Sequence, residues 1–132
     1  TSENLKDVGK ALLYLGEKQA VTGGHATIFK PSNLILGKFF VYISQSPSFT
    51  SQKVKYAKGT KVIDVSATDM SKFKIPLPPL EEQKRIVEIL DRFDKYINDI
   101  KEGLPAEIEI RQKQYEYYRD KLLNFKKLNV KQ

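Results

Sequence analysis

Between residues 73 and 94 the chain reads FKIPLPPLEEQKRIVEILDRFD, and its character changes at the prolines. An apolar stretch gives way to a highly charged one. There, large apolar residues recur at Ile86, Leu90, Phe93, Ile97, Ile100 and Leu104, alternating by four and three. That is a heptad seam, the pattern of a helix that buries one narrow stripe. The seam resumes at Ile108, Tyr115, Tyr118, Leu122 and Phe125, displaced by one residue across Gly103-Leu104-Pro105, with Arg111 as its polar member. Two readings compete at this junction. A helical hairpin would reset the phase and calls for a longer, more polar turn. A single helix kinked at Pro105 keeps the phase nearly intact, and the sequence favours it. Such a helix would run from 80 to about 125, on the order of 65–70 Å at about 1.5 Å per residue.

The ends of this segment suit a helix. Pro79 fits a first turn, and Glu81 and Glu82 complement the positive end of the dipole. Glu107–Arg111 and Glu109–Lys113 are spaced for ion pairs one turn apart. A lone helix cannot hide such a stripe, so the sequence predicts a partner helix from a second copy or from another chain. The packing residues are Ile86, Leu90, Phe93, Ile97, Ile100, Tyr115, Leu122 and Phe125.

Residues 1–79 read differently, as a small mixed α/β module. ALLYLG (11–16) and ATIFK (26–30) are short β-rich runs around a TGGH turn, and Val62, Ile63 and Val65 form a β-branched run. A last apolar strand is expected at 73–77. Leu36, Phe39, Phe40 and Ile43 are spaced for a helix packed on those strands. A second short helix follows within 46–57, with Ser48 as a plausible N-cap, and Ser66-x-x-Asp69 resembles a capping box. The expected class is α+β, with a boundary between a module at 1–79 and a long helix at 80–132.

Charge separates the same two parts. Residues 1–79 hold eleven Lys against five acids (+6), and residues 80–132 hold twelve Lys or Arg against eleven acids (+1). A basic excess confined to one module suggests a polyanion partner, with solubilising surface charge as the plainer alternative. Lys53, Lys55, Lys58 and Lys61 crowd into nine residues with Tyr56, Gly59 and Thr60. Lysines contact phosphates, and glycine lets the backbone approach closely. A solvated loop is the competing reading.

Catalytic constellations are absent from the sequence. His25, the single histidine, has no cysteine or second histidine to complete a metal site or a nucleophile–base pair. A structural or surface role accounts for it, with a DNA contact as the functional alternative. Gly23-Gly24 lacks the surroundings of a phosphate loop. The sequence therefore points to no enzyme, no cofactor and no metal. Zero cysteines suit a reducing, cytoplasmic compartment, and no apolar run approaches the roughly 20 residues of a membrane span.

IPLPPLEEQKRIVEILDRFD, followed by GLPAEIEIRQKQYEYYRDKLLNF, resembles the helical region of type I restriction–modification specificity subunits. VTGGHATIF and YAKGTKVIDVSATDMSKFKIPLPPLEEQ resemble the second half of a target recognition domain in that family, so the likeness spans about residues 8–126. The resemblance implies a non-catalytic subunit that reads double-stranded DNA and holds modification (methyltransferase) subunits. Restriction subunits join the larger complex. It implies DNA-facing positions at Lys53, Lys55, Lys58, Gly59, Thr60 and Lys61, with His25 weaker. Family members carry two recognition domains and two long antiparallel helices, whereas this chain offers one partial domain and one long helix. The expectation is a half-length or truncated specificity subunit, or a fragment of one, forming a homodimer through the helix. The alternative is a truncated subunit that acts only in helix-mediated assembly and reads no DNA.

Overall fold

A computed structural model describes residues 1–99 and 105–126. Five helices follow in order: α1 (Gly37–Ile43), α2 (Pro47–Tyr56), α3 (Ala67–Met70), α4 (Leu80–Asp99) and α5 (Pro105–Leu122). The expected strands do not form ladders among the described residues. Among the described residues only two isolated antiparallel bridges occur, Ser2 with Ile63 and Lys58 with Asp64. A β-rich run becomes a strand only beside a partner that takes up its backbone groups. Residues 21–30 lie exposed and unladdered. At 73–77 a side chain stands in for a strand: the Gln52 amide accepts from Lys74 N–H (2.8 Å) and donates to Lys74 C=O (2.9 Å).

The long helix from Leu80 is present, but its continuation differs from the kinked rod. α5 lies back along α4, so Phe93 meets both Tyr115 (6.4 Å between ring centroids) and Tyr118 (5.8 Å, stacked). Pro105 opens α5, where its missing N–H leaves no helical bond unmade. The matched heptads arise because two facing helices each need a buried stripe, a condition that looks in sequence like one continuing phase. Ile100, Gly103 and Leu104 of the expected seam lie outside the described residues.

The seam is covered within the chain. Ile86 and Leu90 are fully buried against Phe39 and Ile43 of α1, joined by Ile35, Val87, Tyr115 and Leu123. Phe93, Ile97, Leu122 and Phe125 pack around that core. The need for a second helix, expected to be met by another chain, is met by α1 and α5. Along α5 and the residues just after it, Tyr115, Leu122 and Phe125 of the expected stripe pack inward, Arg111 and Tyr118 stay exposed, and Gln112, Arg119 and Leu123 are covered in addition. Arg119 can face inward because its guanidinium lies 5.7 Å from the Tyr115 ring centroid and pairs with Asp120.

Polar pins fix α1 on α4. Gln83 is fully buried; its amide donates to Leu34 C=O (2.9 Å) and Pro78 C=O (2.8 Å) and accepts from Leu36 N–H (2.9 Å). One side chain thus ties the proline run, the entry to α1 and the first turn of α4. Farther along, Asp91 accepts from Tyr42 (2.6 Å) and Lys38 (2.8 Å). Burial and the bond to Asp91 push the Tyr42 hydroxyl well above the usual tyrosine value. Burial raises Asp91, yet the bonds from Lys38 and Tyr42 leave its carboxyl below the usual range.

Candidate nucleic-acid interface

The basic run begins on α2. Ser46, rather than Ser48, caps this helix: its hydroxyl accepts from Phe49 N–H, with Pro47 as the first helical residue. Below α2 an aromatic ladder crosses the module, from Phe29 stacked on Phe40 (4.2 Å) through Phe49 and Phe73 to Tyr56. The ladder fixes Tyr56 at the surface end of α2. Lys55 and Lys72 place their ammonium groups 5.9 and 5.6 Å from its ring centroid, within cation–π range.

The expected DNA-facing residues divide. Lys53 is buried, its stem against Gly9 and its Nζ bonded to Lys6 C=O (3.4 Å). Burial lowers its pKa, against the pull of Asp7. A lysine in that position covers the 6–9 turn, unlike the other lysines of the run. Lys55, Lys58, Gly59, Thr60 and Lys61 are all exposed. Lys58 and Asp64 close their loop with paired backbone bonds of 2.9 and 2.8 Å. Gly59 has φ +113°, and a Cβ there would collide with the Val62 carbonyl, so the tight loop requires glycine. His25 sits in an exposed turn closed by Ala26 N–H to Gly23 C=O.

Two residues outside the expected set complete the surface. Asp69, almost fully buried at the start of α3, accepts from Lys72 (2.8 Å), Lys58 (3.2 Å) and the Ser66 hydroxyl (3.0 Å). Ser66 caps α3 through Asp69 N–H, as the capping-box spacing predicts. The bonds from Lys72, Lys58 and Ser66 hold the Asp69 carboxyl down at about 2. Lys72 escaped the sequence reading because it stands outside the dense run; its alternation with Lys74 beside the expected strand was the available signal. Among the described residues no group of three or more His, Asp or Glu side chains is placed to hold a metal ion. Nor is any described helix long and apolar enough to cross a membrane.

The hairpin carries a second exposed feature. Phe93, Tyr96, Ile97, Arg111, Gln114, Tyr115 and Tyr118 line an open groove between α4 and α5. Tyr96, Tyr117 and Ile110 are more than half exposed beside it.

A family profile for the type I restriction modification DNA specificity domain matches residues 6–110. The specificity subunit of the type I restriction enzyme EcoR124I/EcoR124II from Escherichia coli is 46% identical over 97 residues, covering 74% of this chain and 24% of that protein. A putative type I restriction enzyme specificity subunit from Haemophilus influenzae is 37% identical over 119 residues, 89% of this chain and 30% of that protein. A putative type I specificity subunit from Mycoplasma pneumoniae is 39% identical over 98 residues, 73% of this chain and 30% of that protein. The chain thus spans roughly a quarter to a third of the length of these curated relatives. No solved structure matches. With the profile covering most of its length, the chain belongs to the type I restriction–modification DNA specificity family.

Proposed function

We propose that this chain supplies DNA recognition to a type I restriction–modification complex, with residues 1–79 facing duplex DNA and residues 80–132 serving assembly. The observation that carries the reading is the convergence of Lys55 and Lys72 on Tyr56 and of Lys58 and Lys72 on Asp69, beside a glycine-dependent loop bearing Lys61. Exposed ammonium groups on a rigid support neutralise phosphates and release counterions, while Tyr56 and Thr60 can reach sugar or base edges. The chain performs no reaction itself, and it binds neither cofactor nor metal. It acts in the cytoplasm, where DNA and the modification and restriction subunits are met. Fluorescence anisotropy with a labelled duplex across a salt series tests this directly. Affinity should fall steeply as salt rises; absence of binding at low salt would remove the DNA role from this chain.

The aromatic groove of the hairpin supports a second, compatible role in assembly. A modification subunit docks on that face, where Tyr96, Ile110 and Tyr117 offer apolar area that the chain leaves uncovered. A homodimer through the long helix uses the same outer face, where that apolar area is exposed. Tyr96→Asp with Tyr117→Asp should abolish co-purification with a modification subunit, and light scattering on the chain alone reports the dimer. Unchanged co-purification would move the docking site elsewhere.

A further inference from the structure

Lys58 and Lys72 are fourteen positions apart, on different elements, yet their ammonium groups bracket one carboxylate. Lys58 Nζ bonds Asp69 Oδ2 at 3.2 Å, and Lys72 Nζ bonds Asp69 Oδ1 at 2.8 Å. The two lysine side chains remain 78% and 52% exposed, whereas the Asp69 side chain is 9% exposed. Asp69 cannot turn away, because Ser66 both donates to its carboxylate and caps its own backbone N–H. An ammonium has three N–H donors, and one bond to Asp69 leaves the others directed toward solvent. The cluster therefore carries a net positive charge on two side chains whose rotamers are already restricted. A long lysine chain immobilised on binding otherwise loses conformational freedom at that moment. Tyr56 adds a second restraint on Lys72, its ring centroid 5.6 Å from the ammonium.

We propose that Asp69 is a positioning residue for phosphate recognition: a buried anion that holds Lys58 and Lys72 as a preset pair for the sugar-phosphate backbone. This rests on the DNA-binding reading and assigns a role to a residue that itself touches no DNA. The sign of one substitution separates it from simple electrostatics. Asp69→Asn removes a negative charge from beneath a basic surface, so charge alone makes DNA binding tighter. Loss of positioning makes it weaker.

The test measures anisotropy of a labelled mixed-sequence duplex at several salt concentrations for the intact chain, Asp69→Asn, Lys72→Gln and the double variant. Circular dichroism is recorded in parallel. Asp69→Asn should weaken binding by about three- to tenfold, the order of one lost phosphate contact, although the protein has become more positive. Lys72→Gln should lower the salt slope by about 0.9. Once Lys72 is gone, Asp69→Asn should add much less than it does alone, a non-additivity that general damage to α3 would not produce. Asp69→Glu, which keeps the charge, should recover part of the loss. Tighter binding by Asp69→Asn, or strictly additive losses, overturns the positioning role and leaves the DNA-binding reading standing. An intact chain that shows no salt-sensitive binding overturns both.

Discussion

The helical core and the basic surface are built by different kinds of information. In the core, spacing specifies which residues share a face: Ile86, Leu90 and Phe93 on α4, and Phe39 and Ile43 on α1. On the basic surface, residues from α2, the 58–64 loop and the end of α3 converge on Tyr56 and Asp69. Periodicity can be read along a chain. Convergence of separate segments depends on tertiary packing, here on the aromatic ladder from Phe29 to Tyr56, and no local pattern records it.

The same contrast explains which expectations held. The start of the long helix at Leu80, the α1 apolar face, the Ser66 cap and the Glu107–Arg111 and Glu109–Lys113 pairs follow from local spacing and are present. The reversal between α4 and α5 was not legible, because facing seams and a continued seam share one heptad signature. Lys53 departs from the other lysines of the run for a related reason. It sits in the lysine run, but on the α2 face turned toward Lys6 and Gly9, and the run's composition hides the helix's two sides. Gln83 was within reach. Stepping back seven residues from Leu90 lands on it, a polar residue at a buried seam position.

Large perturbations should fall on the core. Phe39→Ala removes a fully buried ring and should lower unfolding free energy by about 3–5 kcal/mol in a denaturant titration. Folded protein should retain its DNA affinity, and a parallel loss of both would join the two regions that the comparison separates. Gln83→Ala leaves Leu36 N–H and the carbonyls of Leu34 and Pro78 without their partner, and should destabilise by about 2–4 kcal/mol. A change below about 0.5 kcal/mol, typical of an uninvolved surface site, would mean that this amide does not hold the proline junction on α1.

Smaller effects sharpen the division on the basic surface. Lys55→Gln should weaken DNA binding and reduce the salt slope by about 0.9 without altering stability. Lys53→Met, two residues away on the same helix, should leave DNA affinity unchanged, since its ammonium already faces Lys6. Equal effects of the two on DNA would contradict the assignment of Lys53 to the interior. The pH response is subtler. Asp69 is held down from its usual 3.8 to about 2, so its contribution to folding is complete above 3.8 and is lost as pH falls toward 2. Carboxyl chemical shifts followed by NMR should place its titration near the lower limit; a midpoint near 3.8 would mean that Lys58 and Lys72 do not hold it.

Amide chemical-shift mapping with a duplex bound at low salt tests the central claim most directly, because it reads both regions in one experiment. Shifts concentrated at 54–61 and 69–74, with α5 and the hairpin groove quiet, are the result predicted for a DNA-facing module joined to an assembly hairpin. Shifts confined to α4 and α5, with the surface around Tyr56 silent, would contradict it.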